Sequence, residues 1–258
     1  MFPLNRPIHN WHNKRVWIVG ASSGIGAALA QEALRAGAVV ALSARRVEVL
    51  EEIANAHRNA LAVQLDVLED SAWTRAYQEI RDRFGGVDLV IFCAADYRPE
   101  RSWEVIPSGA KRTLSVNVGS IYSGLANVLP EMIMRGSGGI ALVASVAGYI
   151  GLPKATVYGP SKAALINLAE ILYSDLHPKG VDVYLINPGF VQTQLTARND
   201  FHMPALQTAE GAARCIFKGI SSGRFEIHFP WRFTMLLKLI RMLPYRLRFA
   251  LIGQLVKT

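Results

Sequence analysis

Tyr158 and Lys162 lie four residues apart in the stretch YGPSK, and a helix through them would bring phenol and ammonium onto one face. Pro160 suits such a helix only near its start, where the N–H that proline lacks would have no partner anyway. A phenol ionises near pH 10 in water, so at neutral pH it is a poor base. A cation beside it favours the ionised form, and the phenol could then exchange a proton with a substrate oxygen. Taken alone, the spacing more often marks a packed tyrosine and a solvated lysine.

Other stretches carry chemistry of the same kind. Ser145, in VASVAG, follows an apolar run of strand length, where a hydroxyl can donate to an oxygen gaining negative charge. Asn117, in SVNVGS, falls within a helical period that does not favour an amide. Their plainer readings are a helix-start hydroxyl and a buried amide at a kink. The stretch GASSGIG, from Gly20 to Gly26, joins the first apolar run to a helical segment. Glycines at Gly20, Gly24 and Gly26 permit a tight turn, and with Ser22, Ser23 and Ile25 they would present helix-start N–H groups to a phosphate. After the second run come Ala44, Arg45 and Arg46, with no acid to accept a ribose 2′-hydroxyl. Both arginines would suit a 2′-phosphate, which favours NADP(H) over NAD(H), although either could face solvent instead. Asp66 follows the third run, placed to bond an adenine or to cap the next helix.

Positioning these residues requires a regular frame. Apolar runs at 16–19, 39–43, 60–65, 88–93, 139–144, 181–186 and 225–229 read as strands, and helical periods cover 25–36, 47–57, 71–84, 108–135, 157–176 and 208–221. Repeated βα units with fully apolar strands imply an α/β fold, a doubly wound parallel sheet of Rossmann-like type, with its ligand crevice at the carboxyl ends of the strands. One domain is expected over 14–230, after a lead at 1–13 and before an extension at 231–258. Pro188 and Gly189 are expected to stop the sixth strand.

With GASSGIG, Asn117, Ser145, YGPSK and NPGFVQT in this order, residues 14–230 resemble the short-chain dehydrogenase/reductase family in its single-domain form. The resemblance implies nicotinamide-dependent hydride transfer between an alcohol and a carbonyl, with Asn117, Ser145, Tyr158 and Lys162 as the catalytic set. It implies that Lys162 also bonds the nicotinamide ribose and that Asn117 holds water in a proton relay. Cofactor contacts are implied at Gly20, Ser22, Ser23, Gly24, Ile25, Gly26, Arg45, Arg46, Asp66, Val67 and Ala94. Further contacts fall at Asn117, Tyr158, Lys162, Pro188, Gly189, Phe190, Val191 and Thr193. A homodimer or homotetramer through the helices carrying Asn117 and Tyr158 would also fit. Where the family reads Asn-Asn-Ala-Gly after its fourth strand, this chain has Phe92, Cys93, Ala94 and Ala95, which questions the hydrogen bonds bracing the sheet there. Residues 194–205 would form a substrate lid, apolar through Leu195, Phe201 and Met203, or a mobile loop with no ligand contact.

The chain has 258 residues, 51% hydrophobic and 19% charged, enough for a full core. Two cysteines, Cys93 and Cys215, make no disulfide framework and read as reduced thiols, which with the absence of a signal-type apolar segment at the start points to the cytoplasm. No stretch is expected to cross a membrane, and no metal site is expected. The net charge of +8 belongs mostly to residues 231–258, which hold Arg232, Lys238, Arg241, Arg246, Arg248 and Lys257 without an acid. On a helical wheel Thr234, Lys238 and Arg241 form a thin polar edge beside a wide apolar face, and Pro244 breaks the helix or opens a second. Such a segment suits an anionic membrane surface, with the protein peripheral at its inner face, or packing on a subunit or cleft. Nucleic acid is not expected, since no binding module is recognisable. The rivals to an enzyme are a non-catalytic NADP(H) sensor and a membrane-recruited interaction protein.

Overall fold

A computed structural model describes residues 3–199 and 203–255. Seven short apolar segments pair as strands: β1 (Arg15–Val19), β2 (Val39–Ala44), β3 (Ala60–Gln64), β4 (Leu89–Phe92), β5 (Gly138–Val143), β6 (Val181–Pro188) and β7 (Glu226–Phe229). All pairings are parallel and the order is β3-β2-β1-β4-β5-β6-β7, so the direction of winding reverses between β1 and β4. In such a sheet that reversal opens a crevice above the carboxyl ends. Central strands buried on both faces explain the apolar runs without alternation, as in β4, where Leu89 to Phe92 are all buried.

The helices cover both faces. On one side α1 (Gly24–Arg35), α2 (Val47–Asn55) and α7 (Ala209–Ser221) bury Leu29, Leu50 and Ile216 against Ile18, Leu42 and Ile186. On the other, α3 (Asp70–Phe84), α5 (Ser120–Arg135) and α6 (Tyr158–Leu176) bury Trp73, Val128 and Leu165 against Trp17, Val90 and Leu142. The lead is stitched to this body: Asn5 donates to the Val183 carbonyl (2.7 Å), Arg6 pairs with Asp182 (2.9 Å) and Trp11 stacks on Phe217 (4.4 Å).

Three expectations change. The single helix at 108–135 is α4 (Pro107–Leu114), a widened π turn at Ser115–Gly119, and α5. Ser120 Oγ donates to the Val116 carbonyl (2.7 Å) within the widened stretch, and Asn117 is drawn out of register by partners on two other segments. β6 runs past the expected end at 186 and stops, as expected, at Pro188, opposite Phe229, because a strand's last residue can forgo its N–H.

The extension forms α8 (Trp231–Met242) and α9 (Tyr245–Leu255), separated at Pro244. Its orientation departs in part from the amphipathic expectation. Thr234 is fully buried, bonded to His228 (2.6 Å), and Lys238 pairs with Glu226 (2.5 Å). Leu237, Ile240 and Ile252 join the core, whereas Trp231, Leu239, Met242 and Phe249 face outward beside exposed Arg232, Arg241 and Arg246. Thr234 and Lys238 of the polar edge turn inward because β7 offers them an imidazole and a carboxylate, which the wheel could not show, while Arg241 stays exposed. Lys257 lies outside the described residues. Among the described residues no helix is long and apolar enough to cross a membrane.

If α8 is part of the folded body, truncating its buried anchor is costly. Leu237→Ala is expected to lower the unfolding free energy by about 2–5 kcal/mol in urea denaturation, whereas a loosely attached tail would leave the midpoint unchanged.

Candidate active site

A cleft of about 710 Å³ opens at the β1/β4 reversal. Its floor is the glycine turn. Gly20 has φ +94°, and a Cβ there would stand 2.5 Å from the Ala94 nitrogen; one on Gly26 would stand 2.2 Å from the Gly20 carbonyl oxygen. Backbone therefore meets backbone, and α1 starts directly against the ends of β1 and β4. Ser23 forms no side-chain cap and the first turn of α1 has no acid. Its orphan N–H groups are left to an anion, and this turn fits the pyrophosphate of a dinucleotide.

Opposite the turn, β5 delivers Ser145 and the start of α6 delivers Tyr158 and Lys162. Ser145 and Tyr158 both line the cleft, and Ser145 Oγ accepts from the Ala147 N–H (3.1 Å). Lys162 is buried beneath them, its Nζ donating to the Val143 carbonyl (2.8 Å) and lying 5.5 Å from the centre of the Tyr158 ring. Burial raises Tyr158 above its ordinary range, and the Ser145 hydroxyl opposes that rise. Burial draws Lys162 down to about 8. Burial thus costs Lys162 basicity at the position from which it faces the Tyr158 ring.

Asn117 stands behind this group, not on the cleft wall. Its Oδ1 accepts from the Asp96 N–H (2.7 Å), and its Nδ2 donates to the Asp96 carbonyl (3.0 Å) and to Ser161 Oγ (2.9 Å). It fastens the loop after β4 to α6. Gly26 likewise lies under the cleft, packed on Gly20.

The remaining expected contacts line the cleft: Ser22, Ser23, Gly24 and Ile25 from the turn; Arg45, Arg46, Asp66, Val67 and Ala94 on one side; Pro188, Gly189, Val191 and Thr193 on the other. Arg46 Nη2 reaches Ser22 Oγ (3.1 Å), which holds the guanidinium over the turn. Asp66 Oδ1 accepts from the Leu68 N–H (3.0 Å) and does not cap α3. Phe190 instead meets Phe233 of α8, with ring centres 5.9 Å apart. The altered stretch after β4 is compensated by packing. Phe92 fills the space opposite Gly124, where a Cβ would be 2.4 Å from its ring, and the Cys93 N–H still bonds the Val19 carbonyl (2.8 Å). Burial pushes the Cys93 thiol up to about 11, so it stays protonated.

A family model described as short chain dehydrogenase matches residues 14–203. The chain belongs to the short-chain dehydrogenase/reductase family. An uncharacterized oxidoreductase of Myxococcus xanthus is 33% identical over 231 residues, covering 88% of this chain and 91% of that one. A short chain dehydrogenase/reductase of Burkholderia phymatum, solved in complex with NAD, has a TM-score of 0.81 at 24% identity, covering 90% of this chain and 94% of that one. A short-chain dehydrogenase of Sphingobium yanoikuyae, solved with NADPH, has a TM-score of 0.78 at 23% identity over 86% and 91% of the two chains. The protein is therefore an NAD(P)-dependent short-chain dehydrogenase/reductase of doubly wound fold.

In this short-chain dehydrogenase/reductase, sequence reading missed Tyr97 and Asp96. Tyr97 meets Tyr158 edge-on (4.8 Å between centres) and donates to Asn199 Oδ1 (2.6 Å) of the 191–207 loop. Asp96 accepts from Thr113 Oγ1 (2.6 Å) and borders the cleft. The available signal was position, since both follow β4 at the carboxyl edge. Of the expected lid, Leu195 lines the cleft and Met203 lies against the Asn199 amide (3.2 Å); Phe201 lies outside the described residues. Among the described residues no cluster of His, Cys, Asp and Glu could hold a metal.

Burial of Lys162 sets a measurable titration. In ¹³C-lysine NMR one resonance, absent in Lys162→Met, is expected to titrate near pH 8, about two units below ordinary lysines; a midpoint above 10 would contradict the depressed basicity.

Proposed function

We propose that this enzyme interconverts a hydrophobic alcohol and its carbonyl with NADP(H), using Tyr158 as the proton donor and acceptor. The observation that carries the reading is the placement of Ser145 and Tyr158 together on the cleft lining, with Lys162 buried beneath them. A nicotinamide held in the cleft supplies or accepts the hydride. As negative charge develops on the substrate oxygen, Ser145 donates to it and Tyr158 gives up its Oη proton. Charged Lys162 favours the phenolate that remains, and by resemblance it holds the cofactor ribose while Asn117 maintains a water in the proton path. A non-catalytic sensor would have no use for this set.

NADP(H) preference is supported by Arg45 and Arg46 at the end of β2, which outnumber Glu48 on that rim. A hydrophobic substrate is supported by Leu195 beside Tyr158 in the same cleft. Two surfaces support partners. Exposed Tyr122 and Met134 on α5 and Ile171 on α6 suit a homo-oligomer through those helices. The outward face of α8 and α9, with Trp231, Met242 and Phe249 among arginines and no acid, suits a peripheral position on an anionic membrane at its cytoplasmic side.

The enzyme is tested by NADPH and NADH oxidation against aldehydes and ketones of increasing chain length. Tyr158→Phe is expected to lower kcat about 10²- to 10⁴-fold. Arg45→Ala with Arg46→Ala should raise the KM for NADPH about 10- to 100-fold while sparing NADH. Binding of either cofactor without turnover in wild type, on every carbonyl, would point back to the sensor.

The membrane position is tested separately by sedimentation with phosphatidylglycerol vesicles. Wild type should co-sediment, neutral phosphatidylcholine vesicles should not carry it, and Trp231→Glu with Met242→Glu should release it; a wild type that stays in the supernatant sinks this part.

A further inference from the structure

The inward-turned edge of α8 ends on a single carboxylate. Glu226 Oε1 accepts from Tyr149 Oη (2.6 Å) and from Asn187 Nδ2 (2.9 Å), and its Oε2 accepts from Lys238 Nζ (2.5 Å). Lys238 Nζ also lies 5.4 Å from the centre of the Tyr149 ring, so cation, phenol and carboxylate form one closed group. Burial works to raise the Glu226 carboxyl, but the bonds from Lys238 and Tyr149 outweigh it and hold the group below its ordinary value.

Tyr149 is what gives this group a bearing on the reaction. It ends the short turn at Val146–Gly148 that begins at Ser145, with its N–H bonded to the Val146 carbonyl (3.0 Å). The same turn is pressed onto α6: a Cβ on Gly148 would stand 2.7 Å from the Lys162 carbonyl carbon. Ser145 thus sits at one end of a turn whose other end is held by the extension through Glu226. A second contact runs in parallel, because Phe233 of α8 reaches within 3.3 Å of a Cβ position on Gly189, beside Phe190.

We propose that Glu226 and Lys238 are positioning residues, which seat α8 against Tyr149 and thereby fix the turn that aims Ser145 into the cleft. This rests on the reading of Ser145 as a donor to the substrate oxygen. Neither residue touches the reacting atoms. Removing the ammonium leaves Glu226 half-buried without its cation, and the carboxylate then recruits water or a new partner at the expense of Tyr149. A shift of about 1 Å in a catalytic donor is enough to slow a reaction about 100-fold.

The test compares full-length Lys238→Met, Lys238→Arg and Tyr149→Phe with Ile80→Ala, a buried truncation on α3 that leaves the group intact. Hydrogen exchange of the 144–149 amides is read by mass spectrometry, and kcat and kcat/KM are read with NADPH and the best carbonyl found. In Lys238→Met the 144–149 segment is expected to exchange about tenfold faster. Its kcat and kcat/KM should fall together, about 10- to 100-fold. Tyr149→Phe should change both in the same direction by less, and Lys238→Arg should restore most of each. Ile80→Ala should lower the melting temperature without either change. Exchange and turnover in Lys238→Met that move no further than in Ile80→Ala overturn the proposal, as does faster exchange with unchanged turnover. Because exchange needs no substrate, it decides the seating of the turn even if the redox reading fails.

Discussion

The close approach of Gly20 to the backbone of Ala94 is the constraint on which the rest of this molecule depends. It places the ends of β1 and β4 in direct contact at the reversal of the sheet, with no side chain between them. Because Gly20 also donates to the Ser43 carbonyl (2.7 Å), the turn is tied to β2 as well. The start of α1 is then held at one fixed point with its N–H groups open. In the proposed function, a dinucleotide laid across that point would have its adenosine end beside Arg45, Arg46 and Asp66 and its other end toward Ser145 and Tyr158.

On the far wall, buried charge has replaced solvation. Lys162 has a hydrophobic surrounding, one carbonyl partner and a depressed basicity, while Tyr158 has a raised affinity for its proton. The pair is thereby moved from the ordinary values of about 10 and 10.4 in opposite directions. Groups whose environments separate them in this way are suited to passing a proton. The Ser145 hydroxyl works toward the ionised phenol, and Lys162 faces that phenol across the ring.

Much of this was legible in the sequence because it is written in local patterns. The strands appear as apolar runs since the sheet is covered on both sides, and the glycine turn appears because its backbone conformation admits little else. What escaped depends on contacts between distant segments. Asn117 reads as a cleft residue by motif, yet its amide is spent on Asp96 and Ser161, and the π turn around it has no signature in helical period. Tyr97 carries no motif at all. The extension was misread in orientation for the same reason: a wheel weighs hydrophobicity around one helix, while the direction in which α8 faces was decided by Glu226 and His228 on β7. Phe92 in place of an amide was legible as a departure, but its compensation by Gly124 lies across the sheet, thirty-two residues away in the chain.

The lead and the extension dock on neighbouring strands. Asn5 bonds both backbone groups of Val183 on β6, and α8 is seated on β7. During synthesis, residues 3–13 therefore wait for a partner made more than 170 residues later, and β7 waits for α8. The half of the sheet nearest Arg45 can assemble from neighbouring βα units as they emerge, whereas the half that carries Ser145 closes only after α8 has emerged as well. Phosphate-cradling and proton-passing parts of one cleft are thus completed at different times, and a shortened chain can retain the first while lacking the second.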